Sequence, residues 1–281
     1  MKQLKGIDYV GERPLFQCHD AEIVDCYFHD GESPLKESKN IHLIGSTFQW
    51  KYPVWYSRNV LMENCTLLEG ARAGIWYTNN VIMRDCLIDA PKTFRKCKNI
   101  SLVGVEINDA QETFWNCNGI KLKHVKVRGD YFCLNSKNII AEDLRIDGKY
   151  CFDGGENIEI HNAILNTKDC FWNCKHVKVY DSEIDSEYVG WNSEDVTFVN
   201  CRIRSLQGFC YMKKLKMVNC RLWETNLAFE FSDIDAEIVG NIDSVKNISS
   251  GKLKCGSIGE LIMDDKVIDP SNTTIELDGS K

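Results

Sequence analysis

The chain repeats a short phrase at a nearly constant interval, and this period restricts the fold more than any other feature of the sequence. The phrase is an asparagine or similar polar residue followed by an apolar residue, which we number position zero. Position zero is occupied by Ala21, Ile41, Val60, Val81, Ile100, Ile120, Ile139, Ile158, Val177, Val196, Leu215 and Ala236. Successive spacings are 20, 19, 21, 19, 20, 19, 19, 19, 19, 19 and 21 residues. The period predicts one uninterrupted array over about residues 13–245.

Apolar and polar residues alternate inside each copy. Positions +2, +7 and −6 are apolar in most copies, and position +5 is small or apolar. This alternation is typical of strands that bury one face, and about three short strands fit into a copy of this length. Helix signals are missing, and a leucine-rich repeat would need more leucine and a helical turn in each copy. The pattern therefore predicts an all-β, single-stranded parallel β-helix of about 12 coils, stacked about 4.8 Å apart.

The two ends of the chain break this pattern. We therefore predict a single domain over 1–281, with an N-terminal cap at 1–12, coils at 13–245 and a C-terminal coil or cap at 246–281. Caps are expected because the last coil of a solenoid otherwise exposes unpaired strand edges. The phrase "VIDPSNTTIEL" is predicted to supply one final strand near the C-terminus.

The polar residue before position zero indicates a turn. It is Asn in six of the twelve copies. Asn tolerates the left-handed backbone conformation and bonds its own neighbouring backbone, and stacked Asn side chains can also bond one another. With this turn, the 19–21-residue coil and the aromatic and aliphatic ladders, residues 13–245 resemble the right-handed parallel β-helix proteins of the pectin-lyase-like superfamily. The chain looks most like an uncharacterised bacterial β-helix family, a domain of unknown function.

This resemblance implies a right-handed helix and recognition of polysaccharides, because the superfamily contains pectate lyases and polygalacturonases. The sequence has neither the paired aspartates of polygalacturonase motifs nor the calcium-binding aspartate cluster of pectate lyases. It also has no phosphate-binding loop, dinucleotide fingerprint or nucleophile motif. Fold alone does not define chemistry, so binding and catalysis both stay open.

Composition excludes several classes of partner. The net charge is −7, from 34 basic and 41 acidic residues, and it is spread along the chain. This pattern argues against a nucleic-acid partner, and no apolar stretch is long enough for a membrane helix. The first ten residues show no signal peptide, so a cytoplasmic location with reduced thiols is expected. We predict no metal site and no cofactor.

The chain has 14 cysteines, and nine of them lie in two columns of the repeat, positions −3 and +5. These columns otherwise hold small residues, so we interpret the cysteines as buried free thiols that fit a tight stack. Disulfides between neighbouring coils and a metal site are the alternatives.

Five of the seven tryptophans occupy position −5. This position should face solvent because position −6 faces the core. The predicted ligand-binding residues are these tryptophans and two nearby tyrosines: Trp55, Trp76, Trp115, Trp172, Trp191, Tyr131 and Tyr188. An exposed aromatic strip is typical of a binding surface, and ring faces beside amides and carboxylates suit sugars. The other interpretations are a contact with a terminal segment or a second subunit, which would give a homo-oligomer, and a ladder that is buried.

Lysines, tyrosines and carboxylates cluster beside this strip only in the middle coils. The weak catalytic candidates are Lys149, Lys168, Asp153, Asp169 and Tyr150. Lys and Tyr can serve a lyase as base and charge stabiliser, whereas a hydrolase needs two carboxylates about 5–10 Å apart. An exposed ion-pair ladder is the alternative. We therefore predict a noncatalytic carbohydrate- or protein-binding scaffold, and keep a polysaccharide lyase or glycoside hydrolase as the alternative.

Overall fold

The computed structural model describes residues 2–278 and divides into two compact units, residues 2–147 and 148–278. Each unit is a parallel β-solenoid in which the strands of one turn pair with those of the next. The described residues contain no α-helix, and the only helical segments in them are the 3₁₀ turns Glu69–Ala71 and Pro270–Asn272. No helix within 2–278 is long and apolar enough to cross a membrane.

In the first unit, one longer strand opens each of eight turns. These strands are Lys2–Lys5, His19–Val24, Lys39–Ile44, Arg58–Glu63, Asn79–Arg84, Lys98–Val103, Asn118–Arg128 and Lys137–Asp147. Short strands follow at Asp8–Tyr9, Tyr27–Phe28, Thr47–Phe48, Thr66–Leu67, Leu87–Ile88 and Glu106–Ile107, and a third side is formed by Ile75–Trp76 and Phe94–Arg95.

In the second unit, seven turns open with strands of the same kind. These strands are Glu156–His161, Lys175–Tyr180, Glu194–Val199, Lys213–Trp223, Asp233–Ile238, Ser250–Cys255 and Thr273–Leu277. The remaining strands are Tyr150–Cys151, Ile164–Cys170, Glu183–Val189, Arg202–Ser205, Asn241–Lys246 and Ser257–Ile262.

The predicted register is confirmed in both units. Val60 pairs with Val81 in the first unit. Val177 pairs with Val196, and Val196 with Leu215, in the second. The parallel β-solenoid predicted from the period is therefore the observed fold, although the turns number about 15 rather than about 12.

The additional turns lie at the two ends of the chain. Lys2 pairs with Ala21, so the first strand already belongs to the ladder. Near the other end, Gly251 pairs with Ile234 and Thr273 with Gly251, at spacings of 17 and 22 residues. The predicted C-terminal strand is confirmed as Thr273–Leu277. These turns escaped the sequence search because the period changes there and the polar-apolar phrase is lost.

The twelfth predicted copy was wrong by two residues. Leu215 pairs with Ile234, and Ala236 pairs with Met217 instead. This strand begins at Asp233, whose N–H bonds the Met212 carbonyl at 3.0 Å. Neither Ser232 nor Asp233 has a positive φ, so the left-handed residue that precedes position zero elsewhere is missing. The shorter turn therefore moves the start of the strand along the sequence, while buried and exposed residues still alternate within the strand.

The asparagine column has the predicted backbone conformation. Asn40, Asn59 and Asn99 have φ of 55°, 57° and 57°, in the left-handed region. The Asn59 amide donates to Asn40 Oδ1 at 2.8 Å, and the Asn80 amide donates to Asn59 Oδ1 at 2.8 Å. The column therefore both sets the turn and links successive coils.

The inward and outward positions are also as predicted. Phe171 at position −6 is fully buried, whereas Trp172 at position −5 is 41% exposed. The inward rings form ladders, with Phe28 stacked on Phe48 at 4.5 Å and Phe94 on Phe114 at 4.4 Å. These ladders place the core along the axis of each unit.

All 14 cysteines are free, and all except Cys18 are buried. Position −3, however, does more than fill space. The Ser193 hydroxyl accepts the Cys174 N–H at 2.8 Å and donates to the Phe171 carbonyl at 2.6 Å, and both partners lie in the preceding coil. The Cys97 N–H likewise bonds Cys117 Sγ at 3.4 Å. Ser, Thr and Cys share this column because each has a small side chain that can both accept and donate.

Ser193→Ala is expected to lower the free energy of unfolding by about 1–3 kcal/mol, because it leaves a buried N–H and a buried carbonyl without partners. Ser193→Cys is the matched control, since Cys174 occupies the same column one coil earlier. It should cost clearly less. Urea denaturation of the three proteins tests this, and equal losses for Ala and Cys would contradict a hydrogen-bonding role.

Candidate functional site

The predicted tryptophan strip divides into two unlike groups. In the first unit, Trp55 stacks on Trp76 at 5.3 Å with an 8° interplanar angle. The Arg95 guanidinium lies 4.5 Å from the Trp76 ring centre and 4.6 Å from that of Trp115. Arg95 Nη2 also bonds Glu112 Oε2 at 3.0 Å. The exposed strip predicted here is therefore a column of rings and one cation that largely cover one another.

The indole N–H groups of this column are also occupied. Trp55 donates to the Ala73 carbonyl, Trp76 to the Lys92 carbonyl at 2.7 Å, and Trp115 to the Tyr131 carbonyl at 2.8 Å. The Tyr131 side chain itself is 40% exposed. Because ring faces and N–H groups already have partners, these indoles offer less free surface than the sequence suggested.

In the second unit, the corresponding column borders a cavity of about 380 Å³, which we call the aromatic cavity. It is lined by Tyr150, Lys168, Asp169, Cys170, Trp172, Tyr188, Trp191 and Gln207. Six of these eight residues were predicted as site residues. The structure thus brings together members of both predicted groups, the aromatic strip and the catalytic candidates.

Two columns of the repeat form the walls of this cavity. On one wall, Tyr150 pairs with Asp169, and Asp169 pairs with Tyr188, in successive parallel strands. In-register neighbours point their side chains the same way, so the carboxylate stands between two phenols. Position −5 supplies Trp172 and Trp191 for the other wall.

The turn between these walls explains how Trp172 comes to face outward. Its neighbours Phe171 and Asn173 have φ of 61° and 53°, both in the left-handed region. Two such residues on either side of Trp172 bend the chain sharply, so Phe171 enters the core while Trp172 stands outside. Strain of this kind in a bulky residue persists only where packing enforces it.

The aromatic rings meet at a corner rather than forming one flat stack. Tyr188 and Trp191 lie nearly perpendicular, at 82° and 5.7 Å between ring centres. Trp191 also packs against Tyr211 at 5.4 Å. No ring contact to Trp172 is found within the described part of the chain, and the residue is 41% exposed, so part of its ring is open to a ligand.

Asp169 places an acidic group in the cavity wall. The side chain is only 5% exposed. Burial raises the pKa of this carboxyl, the charge of Lys168 lowers it, and the charge of Glu187 raises it again. The net shift is upward, so the carboxylate lacks the full compensation that a buried charge requires.

Asp153 lies at position −5 one coil before Trp172 and is a second, half-buried acid. Burial raises its pKa to about 7, the Trp172 backbone N–H opposes the shift, and the Asp169 charge adds to it. Its Oδ1 atom is buried and has no hydrogen-bond partner among residues 2–278. Asp153 does not line the cavity, but it is electrostatically coupled to a residue that does.

Lys149 is exposed and is not a lining residue. Its carbonyl accepts the N–H groups of Lys168 and Asp169 at 2.8 and 2.7 Å, so its backbone helps to position the wall.

Gln207 and Cys170 were missed by the sequence reasoning. Gln207 continues the column of Tyr150, Asp169 and Tyr188 by one more coil, so extending that column would have found it. Its amide donates to Glu230 Oε2 at 3.1 Å, and Glu230 pairs with Lys246 at 2.8 Å. Cys170 carried no signal, because its column holds mixed residues. In residues 2–278, no group of three or more acidic, His or Cys side chains is arranged to hold a metal ion.

The geometry places the chain in the class of parallel β-solenoids. A family model matches residues 2–276, and the chain belongs to that family, DUF3737, described as a protein of unknown function. A search of curated proteins found no significant match.

Two solved structures are similar in fold. One is the A-module of mannuronan C-5 epimerase AlgE4 from Azotobacter vinelandii, with 12% identity, 99% of this chain and 87% of that chain covered, and a TM-score of 0.40. The other is PfbA, a surface adhesin of Streptococcus pneumoniae, with 10% identity, 94% and 69% covered, and a TM-score of 0.32. These likenesses concern the fold alone.

Proposed function

We propose that the second unit binds a carbohydrate in the aromatic cavity without chemically changing it. The observation that carries the proposal is the composition of the cavity, in which two tyrosines and two tryptophans stand beside Lys168, Asp169 and Gln207. Sugar rings have apolar faces that stack on aromatic side chains and a polar rim that needs hydrogen-bond donors and acceptors. The cavity offers both kinds of partner.

Size and exposure support the same proposal. A volume of about 380 Å³ suits a ligand of one or a few sugar residues, since small-molecule sites span about 300–1,000 Å³. Trp172 is 41% exposed, whereas the other four tryptophans of position −5 are half-buried. An exposed indole beside a buried carboxylate is unusual on a surface that has no ligand to bind.

The Trp55–Trp115 column supports binding less directly. Its rings already pack against each other and against Arg95, so a ligand or a second subunit would reach only their outer edges. We therefore place the ligand in the second unit, while Trp55, Trp76, Trp115 and Tyr131 stay predicted contacts of the first unit with a ligand or a protein partner of its own.

Cleavage of a glycosidic bond is a second candidate function, favoured by one observation. Asp153 retains its proton up to about neutral pH and is coupled to Asp169 in the cavity wall. A glycoside hydrolase needs one protonated and one ionised carboxyl group on either side of the scissile bond. Asp153 and Asp169 are the two carboxyl groups of this alternative, which requires Asp153, outside the cavity lining, to reach the substrate.

A glycan array followed by titration of tryptophan fluorescence tests the proposal. Trp172→Ala is expected to weaken binding about tenfold, because one stacked ring contributes about 1 kcal/mol or more. Trp50→Ala is the control, since this indole is 37% exposed but lies outside the aromatic cavity and outside the predicted strip, and it should leave affinity unchanged. Failure of the wild-type protein to bind any glycan, or equal losses in both variants, would contradict the proposal.

The same glycans, incubated with the protein and analysed by size, separate the two candidate functions. Intact glycan after binding supports the noncatalytic scaffold. Shorter products that disappear with Asp153→Asn would instead establish the hydrolase.

A further inference from the structure

We infer that the ligand of the aromatic cavity carries a protonated amine, as a deacetylated amino sugar does, and that Asp169 binds this amine between Tyr150 and Tyr188. The inference rests on the proposed function and names its ligand class. Its starting point is the position of one carboxylate among four rings, in a cavity that is otherwise largely aromatic.

The first argument concerns what a buried carboxylate requires. Asp169 is 5% exposed, and the charge that favours its ionised form is that of Lys168, which is itself exposed. A buried charge is stable only when a partner of opposite charge or several donors compensate for lost water. A ligand ammonium supplies such a partner and leaves the neighbouring sugar hydroxyls free for Gln207.

The second argument concerns the charges around Asp169. Glu187 adds negative potential at Asp169, and Lys168 opposes it. Lys168 is exposed, so water screens its charge, whereas Asp169 is buried and Glu187 is half-buried. The inner part of the cavity is therefore acidic. An acidic sugar would place its own carboxylate against Asp169, which is the least favourable arrangement.

The third argument concerns the rings. A cation above the face of an indole or phenol is attracted by the ring quadrupole, and the attraction increases when water is excluded. The first unit contains an example in the same column of the repeat. Arg95 lies between Trp76 and Trp115 with Glu112 as its carboxylate partner. In the second unit, Trp172 and Trp191 border an open cavity, and Asp169 is the carboxylate within reach of it.

Two matched ligands test the inference: the β-1,4-linked trimer of glucosamine and the trimer of N-acetylglucosamine, which differ only in the charge and acetylation of the amine. We expect calorimetry at mildly acidic pH to show at least about tenfold tighter binding of the glucosamine trimer, which corresponds to one charge-assisted hydrogen bond. Asp169→Asn should remove this preference, so that the two trimers bind with similar affinity. Lys168→Gln should keep or increase the preference, and it controls for loss of charge in the cavity.

The outcomes separate the inference from the proposed function. Equal affinity for the two trimers, or a preference for the acetylated one, overturns the amine and leaves carbohydrate binding standing. Loss of the preference in Lys168→Gln also overturns it, because the preference would then depend on the lysine and not on the carboxylate of Asp169. If no glycan binds but cyclohexylammonium does so in an Asp169-dependent way, the amine is supported and the carbohydrate is rejected. A circular-dichroism melt of Asp169→Asn confirms that the variant is folded.

Discussion

Phe171→Ala is expected to lower the free energy of unfolding by about 3–5 kcal/mol, whereas Trp172→Ala should lower it by about 1 kcal/mol or less. The two residues are neighbours of similar size, but they face opposite sides of the coil. Phe171 is fully buried and stacks on Phe152 at 5.4 Å. Its removal leaves a cavity in the core that the stacked coils cannot close.

Urea denaturation followed by far-ultraviolet circular dichroism measures both changes, and glycan titration should show the reverse order. Trp172→Ala is expected to lose affinity while staying folded. Phe171→Ala should bind normally under conditions where it is still native. Equal destabilisation by the two variants would contradict the inward and outward assignment on which the site depends.

Asp153→Asn is expected to stabilise the protein at pH 8 by up to about 4 kcal/mol relative to its effect at pH 4. The pKa of Asp153 is about 7 in the folded protein, against an ordinary value of 3.8. Between these two values the unfolded chain has lost the proton while the folded chain still holds it. The contribution of Asp153 to the stability of the wild-type protein therefore falls as the pH rises from about 4 to about 7, and it stays constant above that range.

The asparagine side chain cannot ionise, so this part of the pH dependence disappears in the variant. Thermal melts at several pH values measure the difference between variant and wild type. Asp169 contributes in the same direction and is unchanged in both proteins. Asp235→Asn controls for the substitution itself, because it makes the same change at an exposed carboxylate. A constant difference for Asp153→Asn would show that the pKa of Asp153 is not raised in the folded protein.

The period of the sequence was enough to predict the fold, because every coil of a solenoid must bury its apolar residues at the same repeat positions. Phe171 and Trp172 are an example. Their places in two columns were sufficient to assign one to the core and the other to the surface. The Asn40 and Asn59 turns followed from residue type alone, since few residues tolerate a left-handed conformation.

The features that were missed depend on spacing or on contacts between columns. The strand at Ser250–Cys255 was overlooked because its coil is 17 residues long, shorter than any other copy in the array. The sequence also did not predict that the Arg95 guanidinium covers the Trp76 ring, because this contact requires the arginine side chain to lie flat between two coils. The tyrosine wall and the tryptophan wall of the cavity face each other because of the angle of the turn at Phe171. This angle cannot be predicted from the residue types at one repeat position.

The hydrogen bonds of position −3 give the solenoid a direction. The Ser193 hydroxyl bonds two backbone groups of the coil before it, and Ser232 does the same for Met212 and Phe209. Each coil is thus completed by the coil that follows it in the sequence. During synthesis, every newly emerging coil finishes the one made just before, so the chain can build its ladder in the order in which the ribosome releases it. At position −3, removing a coil from the C-terminal side leaves two backbone groups without these bonds, whereas removing one from the N-terminal side leaves only a hydroxyl or a thiol without them.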